Sequence, residues 1–126
     1  MSEVIQGVSH IDTEELVEIL QDSGSRTIII DVREPEEYIG AHIPGVPLIP
    51  MGEIVSFMDE FDKDREYVFV CRSGQRSFNV AKYFQQSGFN AVHNYAGGML
   101  DWDGDVASGL EKVIVHPFDP TKLERS

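Results

Sequence analysis

The sequence predicts an α/β domain: a central, mainly parallel sheet of about five strands with helices on both faces. Three observations predict it. Thr27-Ile28-Ile29-Ile30-Asp31-Val32 and Tyr67-Val68-Phe69-Val70 are short runs without polar alternation, as in strands buried on both faces. Helical patterns of roughly 10 to 12 residues separate the strand candidates, which calls for right-handed crossovers between parallel neighbours. The length of 126 residues, 41% of them hydrophobic, fits one domain that buries about two-thirds of its unfolded surface without disulfides or metals.

The elements follow in chain order. Asp12 and Glu15 form a capping pair, and Leu16, Ile19 and Leu20 fall on one face, so an amphipathic helix is expected from Asp12 to Asp22, ended by Ser23-Gly24-Ser25. The strand Thr27 to Val32 comes next, then a short helix over Glu34 to Ile39 and a short strand at Leu48-Ile49. Ile54, Phe57, Met58 and Phe61 place an apolar stripe on another helix. The strand Tyr67 to Val70 runs into Cys71 and is expected at the centre of the sheet. Val80, Ala81 and Phe84 then mark a helix closed by Gly88. Ala91 to Tyr95 is the last strand, followed by a Gly97-Gly98 turn and a short helix from Met99 to Trp102. Residues 1–115 are expected to form the domain. The segment 116–126, with Pro117 and Pro120 and no periodicity, is expected to be an extended tail.

Charge and cysteine usage exclude several function classes. Twenty-two acidic against 10 basic side chains give a net charge of −12, which disfavours nucleic acid as a partner. The longest apolar run, Tyr67 to Cys71, is far shorter than a bilayer span, and Met1-Ser2-Glu3 lacks the start of a signal peptide, so a cytoplasmic protein without membrane contact is expected. A single cysteine, Cys71, closes no intrachain disulfide and anchors no Cys-pair zinc site. His10, His93 and His116 show no ligand spacing. Asp101, Asp103 and Asp105 lack the glycine and glutamate of a calcium loop, Val106 and Lys112 standing in those places. No metal and no cofactor is called for.

The acids are unevenly spread. From Tyr67 to Leu100 there is none, and Arg72 and Arg76 follow the cysteine closely. A cysteine at the carboxyl end of a parallel strand sits where ligands collect in α/β sheets. The loop Cys71-Arg72-Ser73-Gly74-Gln75-Arg76-Ser77 joins that end to a helix N-terminus, whose N–H groups and dipole attract an anion and favour a thiolate. Gly74 permits the turn. Ser77 is placed either to cap the helix or to donate its hydroxyl to the bound species. Asp31 and Arg33, at the end of the neighbouring strand, are candidates to support the loop, with Arg33 expected to pair with a carboxylate such as Glu37. His42, before Ile43-Pro44-Gly45, is expected to be a hydrogen-bonded turn residue, and Trp102 a core anchor or pocket rim.

Three blocks carry a family resemblance: Asp31-Val32-Arg33-Glu34-Pro35-Glu36-Glu37-Tyr38 with Ala41-His42-Ile43-Pro44-Gly45-Val46; Cys71 to Ser77; and Gly97-Gly98-Met99-Leu100-Asp101-Trp102. In their order and spacing the chain, from Ile11 to Trp102, resembles the rhodanese family and in particular its single-domain sulfurtransferases. The resemblance implies an enzyme of the thiosulfate sulfurtransferase type. Cys71 would take the outer sulfur of a small anionic donor such as thiosulfate, hold it as a persulfide, and deliver it to cyanide, a thiol or a protein thiol. Arg72, Ser73, Gly74, Gln75, Arg76 and Ser77 would bind the anionic groups. With no second thiol, the acceptor is external, such as a small thiol or thioredoxin. A monomer or weak dimer is expected.

Two alternatives stand beside it. One is an interaction or sulfur-carrier module without independent turnover. The other is a phosphatase or arsenate reductase of the same fold, which the Cys-x4-Arg spacing of Cys71 and Arg76 disfavours because a Cys-x5-Arg loop is needed to enclose a tetrahedral oxyanion.

Overall fold

The computed structural model describes residues 3–115 and 118–124. The elements are β1 (Glu3–Ile5), β2 (Val8–Ile11), α1 (Thr13–Gln21), β3 (Ile28–Asp31), α2 (Pro35–Gly40), α3 (Met51–Ile54), β4 (Tyr67–Val70), α4 (Gln75–Gln86), β5 (Val92–Tyr95) and α5 (Gly98–Asp101). A 3-10 helix over Val55–Glu60 extends α3, and another spans Pro120–Leu123. The five-stranded sheet has the order β1-β2-β5-β4-β3 and is parallel except for the β1–β2 hairpin.

Side-chain alternation explains why β3 and β4 carry no polar face. Ile28, Ile30, Tyr67, Phe69 and Cys71 enter one buried cluster with Val80, Ala81 and Phe84 of α4 and with Phe57. Ile29, Val68 and Val70 enter a second with Leu16 of α1 and Tyr95. Each strand is thus covered above and below, and helix α1 on one side and α4 on the other complete the α/β layering.

Helix α1 starts at the reciprocal cap: the Glu15 N–H donates to Asp12 Oδ1 at 2.9 Å and the Asp12 N–H to Glu15 Oε1 at 3.2 Å. Gly88, at φ +100°, follows the end of α4. Among the described residues no helix is long and apolar enough to cross a membrane.

Three expectations are corrected. Leu48 does not head a strand; it makes single bridges to Asp31 and Val113, placed between two segments rather than extending along one. Two of the five strands come instead from the amino-terminal hairpin, turned by Gln6 (φ 52°) and Gly7 (φ 83°). That hairpin lies beyond β5, so β5 takes the middle of the sheet, while β4 lies between β5 and β3. Finally, 118–124 is not extended: Asp119 accepts from the Thr121 N–H to start the 3-10 turn. Leu123 is buried, and Phe118 packs against Phe57 and Phe61, so exclusion of these apolar side chains from water folds the segment back. His116 and Pro117 lie outside the described residues.

Candidate active site

Cys71 ends β4, and the turn after it aims backbone donors at its sulfur. Gly74 takes φ +91° and starts α4, and its N–H points at Cys71 Sγ from 3.1 Å. A Cβ at position 74 would stand 2.1 Å from the Ala96 carbonyl oxygen, so only glycine fits this crossing. The first helical bond of α4 runs from the Phe78 N–H to the Gly74 carbonyl, which leaves the N–H groups of the preceding turn outside the helical ladder. With the twelve-residue helix behind them, they form a positive terminus beside the thiol.

Ser77, buried in the first turn of α4, stands with Oγ 3.2 Å from the sulfur. Its hydroxyl also donates to Asn94 Oδ1. Of the two roles expected for Ser77, the capping position is held by Gly74 instead.

Asn94 had no signal in the sequence beyond being a polar residue next to His93 in a short strand. Its Nδ2 donates to the Gly74 carbonyl at 3.0 Å and meets His10 Nδ1 at 3.2 Å. The β2–β5 register sets His10 directly beside Asn94, and His10 packs on Phe78 with ring centroids 4.9 Å apart. A buried polar network therefore holds the turn of the loop from behind.

The glycine pair after β5 fixes the other side. The N–H groups of Met99 and Leu100 donate to the carbonyls of Cys71 and Arg72 at 2.9 and 3.0 Å. Gly98, at φ +61°, would press a Cβ to 2.4 Å from Arg72 O and 2.7 Å from Cys71 O. Trp102 closes α5, packs on the α1-side cluster, and donates Nε1–H to the Asp105 carbonyl.

The sequence block after β3 delivers two ion pairs. Arg33 bonds Asp31 through Nε and Nη2, the shortest contact 2.8 Å, and also donates to the Ala41 carbonyl. This corrects the expected Arg33–Glu37 pair. Glu37 instead faces α4 and clasps Arg76 with both oxygens, at 2.7 and 2.8 Å. The Arg76 hydrogen bonds pull the Glu37 carboxyl down to about 2, and Glu37 in turn raises the Arg76 guanidinium. Arg72, Ser73 and Gln75 are exposed along the loop. His42 is fully buried, hydrogen-bonded through its two ring nitrogens to the Tyr38 carbonyl and Glu111, and stacked on Tyr38 at 3.7 Å. Among the described residues no group of three or more His, Cys, Asp or Glu side chains is arranged to hold a metal.

This geometry coincides with a known domain type. The sequence profile of the rhodanese-like domain matches residues 12–105. The chain belongs to the rhodanese-like family. A Bacillus subtilis protein named "Putative sulfurtransferase YtwF" is 45% identical over 98 residues, which cover 78% of this chain and 93% of that one. The thiosulfate sulfurtransferase GlpE of Pseudoalteromonas translucida is 30% identical over 103 residues, 82% of this chain and 96% of its own. A crystal structure of a rhodanese-like domain protein from Staphylococcus aureus superposes with a TM-score of 0.72 at 36% identity, covering 79% of this chain and 97% of that one. These rhodanese-like relatives support sulfur transfer as the general chemistry.

Proposed function

We propose that this rhodanese-like protein is a sulfurtransferase working through a persulfide on Cys71. The observation that carries the reading is the environment of Sγ: a buried sulfur at a strand end, facing the Gly74 N–H and the Ser77 hydroxyl at the N-terminus of α4. Cys71 attacks the outer sulfur of an anionic donor such as thiosulfate; the new Sγ–S bond forms as the donor S–S bond breaks, and the electron pair leaves with sulfite. The persulfide anion is then stabilised by the Gly74 N–H and the N-terminus of α4, preorganised by the Asn94 and Met99–Leu100 contacts. The name of the Pseudoalteromonas relative supports thiosulfate as a donor.

Because the chain has one cysteine, no intrachain disulfide can discharge the persulfide. Cyanide, a small thiol, or a protein thiol such as that of thioredoxin takes the sulfur by attack on its outer atom.

Incubation with thiosulfate adds one sulfur to the intact mass, cyanide or a thiol removes it, and Cys71→Ala shows neither step. A wild-type protein that gains no sulfur from any donor would overturn the proposal. A sulfur carrier is the second reading, favoured by a Bacillus subtilis relative named "Putative sulfur carrier protein YrkF", 45% identical over 83 residues. It predicts a loaded Cys71 that discharges only to a protein partner and gives no steady-state turnover with cyanide.

A further inference from the structure

The acid-free stretch from Tyr67 to Leu100 makes the loop look strongly cationic in one dimension, but the fold compensates one of the loop's two arginines. Arg76 is bound by both oxygens of Glu37, and Arg33 is closed on Asp31. Arg72 alone of the three is exposed and makes no ion pair among the described residues. A guanidinium has five N–H donors and Glu37 engages two, so Arg76 keeps hydrogen-bonding capacity while its net charge is cancelled.

We propose that Glu37 is a specificity residue that sets the site for sulfane donors carrying a single negative charge, such as organic thiosulfonates and thiol persulfides, over dianions such as thiosulfate. The inference rests on persulfide chemistry at Cys71 and names its substrate class. With a monoanionic thiosulfonate the step balances as before. The Cys71 thiolate forms the Sγ–S bond, the donor S–S bond breaks, and the electron pair departs on a sulfinate. One uncompensated cation and the α4 terminus face the Cys71 thiolate together with the donor, so each further donor charge is less well matched than the last. A second donor charge meets the ionised Glu37 carboxylate without a matching cation, and that mismatch is removed when the carboxylate is neutralised.

Glu37→Gln provides the test, because the amide keeps an oxygen to accept from Arg76 and from the Glu34 N–H that Glu37 caps while losing the charge. Rates of Cys71 persulfide formation are measured for thiosulfate, a dianion, and benzenethiosulfonate, a monoanion. Glu37→Gln is expected to raise kcat/KM for thiosulfate about tenfold more than for benzenethiosulfonate, and added salt is expected to shrink that difference. Glu36→Gln, an exposed change on the same helix, is expected to leave the ratio unchanged.

Arg72→Gln supplies a second arm in which folding is not at stake, since the side chain is exposed. It is expected to lower the thiosulfate rate several times more than the benzenethiosulfonate rate. Equal changes for both donors in either variant, or a loss of thiosulfate activity in Glu37→Gln, would overturn the assignment while leaving sulfur transfer intact. Absence of persulfide from both donors in the wild type would instead overturn the chemistry itself.

Discussion

Gly98 sits at φ +61° with the carbonyl oxygens of Cys71 and Arg72 inside the space a Cβ would need. Backbone, not a flexible side chain, blocks that space, so Gly98→Ala has to move the loop or the start of α5. The expected cost is about 2 kcal/mol or more in urea unfolding, with a parallel loss in the rate of Cys71 persulfide formation as the Met99 and Leu100 N–H groups lose their carbonyls. The Gly97-Gly98 turn was legible in the sequence; the carbonyls of Cys71 and Arg72 that it approaches, far back in the chain, were not. The same limit applies to the ion pairs. Asp31, Arg33, Glu37 and Arg76 were all visible as candidates or neighbours, but sequence spacing cannot tell which carboxylate meets which guanidinium. Arg33 turned back onto its own strand end, where Asp31 also accepts the Arg33 N–H, and Glu37 was left to face α4. Asn94 and His10 were missed because each is polar for a reason that exists only across the β2–β5 register.

At the scale of elements, legibility followed burial. Strands β3 and β4 were readable because both faces are covered, which writes an apolar run into the sequence. Helix α1 was readable to within a residue because its capping box is a local signal. The β1–β2 hairpin was not, since β1 is exposed along its length, with Val4 70% accessible, and the Gln6-Gly7 turn lacks the usual Asn-Gly signature. The carboxyl-terminal turn escaped for a different reason: two prolines made it look irregular, yet Leu123 and Phe118 dock it on the core. Leu123 is 4% exposed in the cluster with Phe57 and Phe61, and Glu124 forks onto Arg65 while its carbonyl accepts from Lys112 Nζ. Leu123→Ala is expected to cost about 2 to 3 kcal/mol in urea unfolding. Because the segment docks on Phe57 and Phe61 and not on the Cys71 loop, the rate of persulfide formation is expected to stay at the wild-type value below the unfolding transition. A comparable loss in rate and stability would show that the docked segment also shapes the site.

Across the whole molecule, charge is organised by pairing rather than by net value, and acid separates the contributions. The hydrogen bonds of Arg76 to Glu37 and of His42 to Glu111 hold these carboxyls below the usual 4.5, Glu37 at about 2. A carboxyl lowered in the fold stabilises fully above its unfolded value, and that contribution declines from there until pH falls through the folded one, which for Glu37 is about 2. His10 acts earlier. Burial pushes its pKa below 6.5, so the folded state favours neutral imidazole; its contribution is complete above pH 6.5 and is lost as pH falls through the lowered value. The geometry gives the cause. Neutral Nδ1 accepts from Asn94 Nδ2, whereas the protonated ring presents an N–H to that donor, and the Asn94 amide that also holds the Gly74 carbonyl is displaced. Acidification is therefore expected to weaken the support of the Cys71 loop before any carboxylate is protonated. Urea unfolding of wild type and His10→Asn at about pH 7.5 and about pH 5.5 checks this. The wild type is expected to lose its stability advantage over the variant at the lower pH, and an advantage that stayed constant would assign the early acid sensitivity to another group.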